Sequence, residues 1–307
     1  MPCDLTNPIF KNEAAAVTHM EADRWPNGVT CPLCGSDTPK KMGGQTQAGM
    51  FLCGACRGKF TVRTGTVFER SHIPLHKWLM ATHLIASSKK GISAHQLHRM
   101  LGITYKSAWF MAHRIREAMA PDESVSADPM GGEGKIVEVD ETYIGNKKGR
   151  KLRGKNHPGN IKHTVVALVE REGGVRSFHV KEPMNKKVAR KILFRNIDKR
   201  SDIVTHESQL YPAPAANFIR HSTVNHSNKE YARGDIHTNT IEGVFSIFKR
   251  GMIGTYQHCG EQHLQRYLNE FDFRYSNRTK LGVSDAARAT KILKGAEGKR
   301  LTYRQVG

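Results

Sequence analysis

Hydrophobic spacing divides the chain into stretches of different period. Near the start, "NEAAAVTHMEADRW" predicts a short helix. Two β-rich pieces, "MFLC" and "KFTVRTGTVF", follow within residues 29–68, a stretch too poor in apolar positions for a large core. The period then becomes helical, and "PLHKWLMATHLIASS" puts Trp78, Leu79, Thr82 and Ile85 on one face. The spacing next predicts helices over residues 93–101 and 104–119, separated by a turn at Gly102, with Ser93 and Thr104 as N-caps. "APDESVSADPMGGEGK" has no period and is rich in Pro, Gly, Ser and acid, so it reads as a linker.

Beyond the linker the pattern is α/β. Three strands, "KIVEVDETYIG", "HTVVALVERE" and "VRSFHVKE", are expected, with Gly173-Gly174 turning the second hairpin. A helix "NKKVARKILFRNI", a strand "DIVTHES", a short strand around "STVNH" and a helix "NTIEGVFSIFKRG" follow, and "EQHLQRYLNEFDFRYS" and "SDAARATKILKG" predict two closing helices. Three antiparallel strands, a crossover helix, a fourth strand and a late helix carrying an acid form the element order of a ribonuclease-H-like fold. The expected class is therefore α/β, with a ribonuclease-H-like domain preceded by a ribbon and a helical, helix-turn-helix-like region. The expected division is an N-terminal helical segment (1–28), a zinc ribbon (29–70), the helix-turn-helix-like region (71–120), a linker (121–134), the α/β domain (135–280) and a C-terminal helix and tail (281–307).

Charge narrows the choice of partner. The 307 residues hold 48 Lys+Arg against 28 Asp+Glu, a formal net charge of +20 spread along the chain, and such a field attracts nucleic acid. A membrane surface is the competing partner, but there is neither an apolar run of spanning length nor a signal-type segment near Met1, so a cytoplasmic, nucleoid-associated bacterial protein is expected. The basic insert "GNKKGRKLRGKNHPGN" reads as a solvated or phosphate-contacting loop. Within the helical pair, Tyr105, Lys106 and Ser107 open the second helix where recognition helices reach base edges, with His113, Arg114 and Arg116 further along. An ordinary helical hairpin fits the same pattern.

Cysteine spacing points to a metal. "CPLCG" and "CGAC" place Cys31, Cys34, Cys53 and Cys56 as two C-x-x-C pairs with 18 residues between them, the arrangement of a four-thiolate zinc ribbon. A redox pair would need only one such motif, and a reducing cytosol disfavours disulfides. Cys3 and Cys259 read as free thiols.

A second chemistry rests on "VDETYIG", which puts Asp140 and Glu141 on a strand. A buried acid is usually neutral or paired, so this pair calls for a cation, a hydrogen-bond network or an exposed site. Asp140 in the first strand and Glu242 in the late helix occupy two of the positions where ribonuclease-H-like folds gather acids around divalent cations. Hard oxygen ligands suit Mg²⁺, and paired cations can activate water or a 3′ hydroxyl for in-line phosphoryl displacement. Asn239, Glu242 and Lys249 fall on one stripe of that helix, with Ile241, Val244, Phe245 and Phe248 on the other. Alternation along the strand turns Glu141 away from Asp140, toward burial of its stem or a basic neighbour. The remaining histidines, His163 and His221 among them, form no i, i+4 zincin pair and read as surface or hydrogen-bonded groups.

"VDETYIG", "HTNTIEGVFSIFKRGMIGTYQH", "HLQRYLNEFDFRYSNR" and the cysteine pairs together resemble the bacterial insertion-sequence transposases of the fifteen-ninety-five family, also called ISXO-two-like, over residues 26–278. The resemblance implies a DDE-type transposase that binds terminal inverted repeats in double-stranded DNA, cuts element ends and joins them to target DNA with Mg²⁺ or Mn²⁺, as a possible oligomer on DNA. It implies Asp140 as the first catalytic acid and Glu242 as the third, with Asn239 and Lys249 as helpers and Lys249 on a DNA phosphate or terminal base. The fourth-strand motif of the family usually reads Thr-Asp-Glu-Ser, and here "THES" puts His206 where the second aspartate should stand. Imidazole brings no negative charge and suits Zn²⁺ or Mn²⁺ better than Mg²⁺. Glu207 faces the other side of the strand, and Asp202 lies about a dozen Å back along it. Besides an active transposase, a DNA-binding protein without chemistry and, more weakly, a nuclease acting on RNA hybrids fit the sequence.

Overall fold

The computed structural model describes residues 4–44, 48–122, 128–145, 162–225, 230 and 232–302. The basic insert, read as a solvated or phosphate-contacting loop, lies mostly outside them. The chain forms two compact units, one of Met1–Ser88, Ile92–Ala120 and Val283–Gly307, the other of Lys89–Gly91 and Pro121–Gly282.

In the first unit, helix α1 (Glu13–Arg24) starts at Asn12, whose side chain accepts the Ala15 N–H. Strands β1 (Pro39–Lys41), β2 (Met50–Cys53) and β3 (Lys59–Thr61) form an antiparallel ribbon. Its core is small: Trp25 meets Phe51 and Phe60 edge-on at 5.6 and 6.0 Å, and the two phenylalanines stack at 5.4 Å. So little burial leaves most of the stabilisation to the cysteines. Cys31 and Cys56 sulfurs lie 3.8 Å apart and those of Cys34 and Cys53 3.7 Å apart, within one four-residue cluster. Zn–S bonds of ~2.3 Å in a tetrahedron put sulfurs about 3.8 Å apart, so the donor set fits structural zinc. The backbone N–H groups of Cys56 and Ala55 draw the Cys53 thiol down, against burial, while the neighbouring cysteines push Cys34 up, the opposed shifts of thiols crowded at one point.

Helices α2 (Leu75–Ser87), α3 (Ala94–Leu101), α4 (Tyr105–Met119) and α9 (Asp285–Lys294) complete this unit. The four residues expected on the inner face of α2 are all buried. Ser93 and Thr104 cap α3 and α4 by accepting the Gln96 and Ser107 N–H groups. Gly102 ends α3 at φ +58°, a left-handed conformation that favours glycine. Buried Arg288 of α9 donates to the Ala86 carbonyl at the end of α2, 2.7 Å away.

The second unit is built on a five-stranded sheet in the order β6-β5-β4-β7-β8, formed by β4 (Ile136–Ile144), β5 (His163–Glu170), β6 (Val175–Val180), β7 (Asp202–His206) and β8 (Arg220–Val224). β4, β5 and β6 are antiparallel, whereas β7 and β8 run parallel to β4. Parallel pairing needs a crossover, and α5 (Lys186–Asn196) supplies it between β6 and β7. Val137 and Val139 pack with Leu168, Leu193, Ile203 and Tyr211 on the α5 face. On the opposite face Val165, Ala167 and Val169 meet α7 (Asn239–Gly251) and α8 (Leu264–Ser276). Short α6 (Pro212–Ala215) follows β7, and a two-strand ribbon, β9 (Ala232–Arg233) and β10 (Ile236–His237), leads into α7. Gly251 ends α7 where a Cβ would lie 2.7 Å from the Lys90 carbonyl oxygen and 2.4 Å from the Phe271 ring, so no larger residue fits. No helix among the described residues is long and apolar enough to cross a membrane.

Candidate active site

Alternation along β4 sends Glu138 and Asp140 to the face covered by α7, and Glu141 to the face of α5 and Tyr211. Glu138 is fully buried. One of its carboxylate oxygens accepts the Ile241 N–H at 2.8 Å, and the other takes Arg171 Nε at 2.7 Å, with His237 Nδ1 3.4 Å away. Arg171 also donates to the carbonyls of Asp235 and His237, at 2.6 and 2.8 Å. Thr238, at the N-cap of α7, bonds none of the helix's free N–H groups and donates instead to Glu242 Oε1 at 2.9 Å. Glu138 therefore caps α7 from the neighbouring strand, and its negative charge sits at the positive end of the helix dipole. Nothing in the local sequence of α7 reveals this cap. The only sign is a third acid in "VEVDE" two positions before Asp140, a spacing that puts both on one face.

His206 ends β7 beside Asp140, one step beyond the last register pair, Val139 with Thr205. Its Nδ1 lies 2.9 Å from Asp140 Oδ1, and its Nε2 lies 3.7 Å from Glu141 Oε1. Asp140 Oδ1 also accepts the Glu141 N–H at 2.8 Å. The Asp140 carboxylate, against the opposing effect of burial, holds the imidazolium of His206 above its ordinary range. Burial raises the Glu141 carboxyl, although the Tyr211 hydroxyl donates to it and His206 lies nearby. Burial also pushes the Tyr211 hydroxyl upward, and Glu141 reinforces the effect. Glu141 does stand on the other face, but it meets Tyr211 and His206 rather than Lys or Arg, because β7 stops and its last ring can reach round the strand end to both acids.

Asp140, Glu141 and His206 thus form a cluster whose ligand atoms lie within 4.8 Å of one another. Glu242 is not in it. Expected beside Asp140 as a shared Mg²⁺ ligand, Glu242 stands exposed in the first turn of α7. Asn239 and Lys249 are exposed on the same helix, and Ile241, Val244, Phe245 and Phe248 are buried, as the stripe requires. Two carboxylates and an imidazole fit Mn²⁺ better than Mg²⁺, provided His206 has lost its proton.

At the start of α4, Tyr105 is exposed and stacks on His95 at 4.2 Å, Lys106 is exposed and Ser107 is half-buried. Arg114, the fourth residue expected to contact DNA, stands further along α4. It donates to the carbonyls of Glu69 and Leu301, at 3.0 and 3.3 Å, and lies over the Phe110 ring, so its fork is committed within its own unit. His113 and Arg116 are buried and likewise point inward.

With this geometry in hand, comparison with known proteins defines first a class, the insertion-sequence transposases. A family model described as the ISXO2-like transposase domain matches residues 131–276, and one described as a transposase zinc-ribbon domain matches residues 11–59. Residues 131–276 thus carry an ISXO2-like transposase domain, and residues 11–59 a transposase zinc ribbon. It is 26% identical over 278 residues to an uncharacterized protein in transposable element ISH50 of Halobacterium salinarum, covering 86% of this chain and 91% of that one. The crystal structure of the Mos1 strand transfer complex aligns loosely, with 13% identity and a TM-score of 0.25 over 66% of this chain and 77% of that one.

Two predictions follow from the geometry. Glu138→Leu removes the cap and leaves Arg171 facing an apolar side chain, which should cost about 3–5 kcal/mol in chemical denaturation; a loss within the ~0.5 kcal/mol of an ordinary surface change would mean that the cap is dispensable. In metal-free protein followed by NMR, His206 should titrate above its reference of ~6.5 and drop in Asp140→Asn. The pair's contribution to stability is then complete below about pH 6.5 and is lost as pH rises through the raised value. A midpoint indifferent to Asp140→Asn would contradict the pairing.

Proposed function

We propose that this protein is the transposase of an insertion sequence, which binds the terminal inverted repeats of its element and cuts and rejoins DNA at Asp140. The two matching domains support the class, and the placement of Asp140 supports the chemistry: it lies where parallel β4 and β7 run side by side, on the sheet face covered by α7. The strand order β6-β5-β4-β7-β8, with three antiparallel strands followed by two parallel ones, supports a ribonuclease-H-like reading of this domain. A divalent cation, when bound, would stabilise charge on the scissile phosphate and activate the attacking oxygen. Asp140 supplies the first ligand and α7 presents Glu242 as a further acid. Asn239 and Lys249, exposed on the same helix, would orient the DNA end. Tyr105, Lys106 and Ser107 at the start of α4 would contact end sequence as the second helix of a helix-turn-helix, and the +20 net charge would hold phosphates through counterion release. Assembly on two element ends, in the bacterial cytoplasm, follows from this activity.

A second reading, a protein that binds element ends without cutting them, is favoured by one observation. His206 offers Asp140 a proton and a positive charge at the place where a cation would be held. Cleavage of duplex DNA bearing the element's end sequence, with Mg²⁺ or Mn²⁺, separates the two readings. The native chain should cut faster with Mn²⁺ than with Mg²⁺, His206→Asp should restore Mg²⁺ use, and Asp140→Asn should lose at least about a hundredfold, since a metal-held charge is worth several kcal/mol in the transition state. Retained DNA binding with no cutting by the native chain, beside cutting by His206→Asp, would establish the binding-only reading.

A further inference from the structure

The far end of the same sheet face carries a second group of metal-ligating side chains. His163 opens β5 opposite Ile144 of β4, and His179 pairs with Val165 across the β5–β6 ladder. Antiparallel partners share a face and residues two apart along a strand share it too, so both imidazoles stand on the α8 side. Their rings meet edge to face with centroids 5.2 Å apart. Glu261, in the turn that leads into α8, brings a carboxylate to the same point, and the three ligand atoms lie within 4.8 Å of one another.

His163 is only 5% exposed, yet among the described residues its Nδ1 has no hydrogen-bond partner, and Glu261 Oε1 lies 3.9 Å from it. A buried ring nitrogen left in this way is costly, and a cation between it and the carboxylate removes the cost. The frame around the group is tied together. Gln265 and Asp272 of α8 accept the backbone N–H groups of His179 and Ser177, at 2.9 and 2.6 Å. Beside His163 opens a cavity of about 180 Å³, also lined by Gly145, His258 and Cys259, with room for a water to complete the coordination. Ile144 lies four steps along the strand from Asp140, about 13 Å at ~3.3 Å per residue, so this group and the Asp140 cluster cannot share one ion.

We propose that His163, His179 and Glu261 form a transition-metal site, of the open three-ligand kind that takes Zn²⁺, distinct from both the cysteine ribbon and the Asp140 cluster. Two imidazoles and one carboxylate are zinc donors rather than magnesium donors. The metal clips the β5–β6 hairpin to the start of α8. This inference does not depend on the transposase reading, because it concerns binding alone.

The test counts zinc in the full-length chain. All samples carry Asp140→Asn to silence the other cluster, are reconstituted with Zn²⁺, stripped of loose metal on chelating resin and measured by mass spectrometry of the metal. Two equivalents per chain are expected, falling to one in His179→Gln and in Glu261→Gln. Cys53→Ser should lose the other equivalent. Cobalt replacing zinc in Cys53→Ser should show d–d bands without thiolate charge transfer, and Glu261→Gln should remove them. Glu261 is partly exposed, so its substitution is not expected to block folding, and it decides the matter if His179→Gln misfolds. Equal zinc counts in the Asp140→Asn parent and in Glu261→Gln would overturn the proposal.

Discussion

The α/β unit of this molecule depends on a buried carboxylate, Glu138, in its central strand. Glu138 reaches from the central strand to the first turn of α7 and accepts an N–H that the helix's own N-cap leaves open. Burying a charge costs several kcal/mol unless it is paired and fully hydrogen-bonded, and here Arg171, the Ile241 N–H and nearby His237 meet that condition. Because Asp140 lies two residues further along the same face, the bond that holds the helix also sets its register against the acid. Glu242 follows Ile241 directly, so its position is inherited from Glu138.

At the other side of Asp140 the electrostatics oppose the expected chemistry. A second aspartate there would repel Asp140 and invite a cation, whereas His206 attracts Asp140 and can supply the positive charge itself. The cluster is thereby stable without metal, and metal must compete with a proton for the imidazole. Glu141, drawn in from the other sheet face round the end of β7, partly makes up for the missing carboxylate.

What the sequence made legible was local. Caps at Ser93 and Thr104, the left-handed turn at Gly102 and the cysteine pairs each depend on a few adjacent residues, and the structure has all of them. Strands β4 and β5 could be read because both are long and each is largely apolar or alternating. What escaped reading depends on contacts between distant residues. Glu138 and Ile241 are 103 positions apart. His163 and His179 meet only because a register pairs β5 with β6. The charge of Arg114 is visible in sequence, while the two carbonyls it donates to are not.

The most direct measurement is anomalous diffraction from crystals of the full-length protein soaked in Mn²⁺ at a pH above the His206 titration. If Glu138 registers α7 against Asp140 for catalysis, one strong peak should lie in contact with both the Asp140 and Glu242 carboxylates. A peak held by Asp140, Glu141 and His206 alone, with Glu242 remaining in solvent, would contradict it.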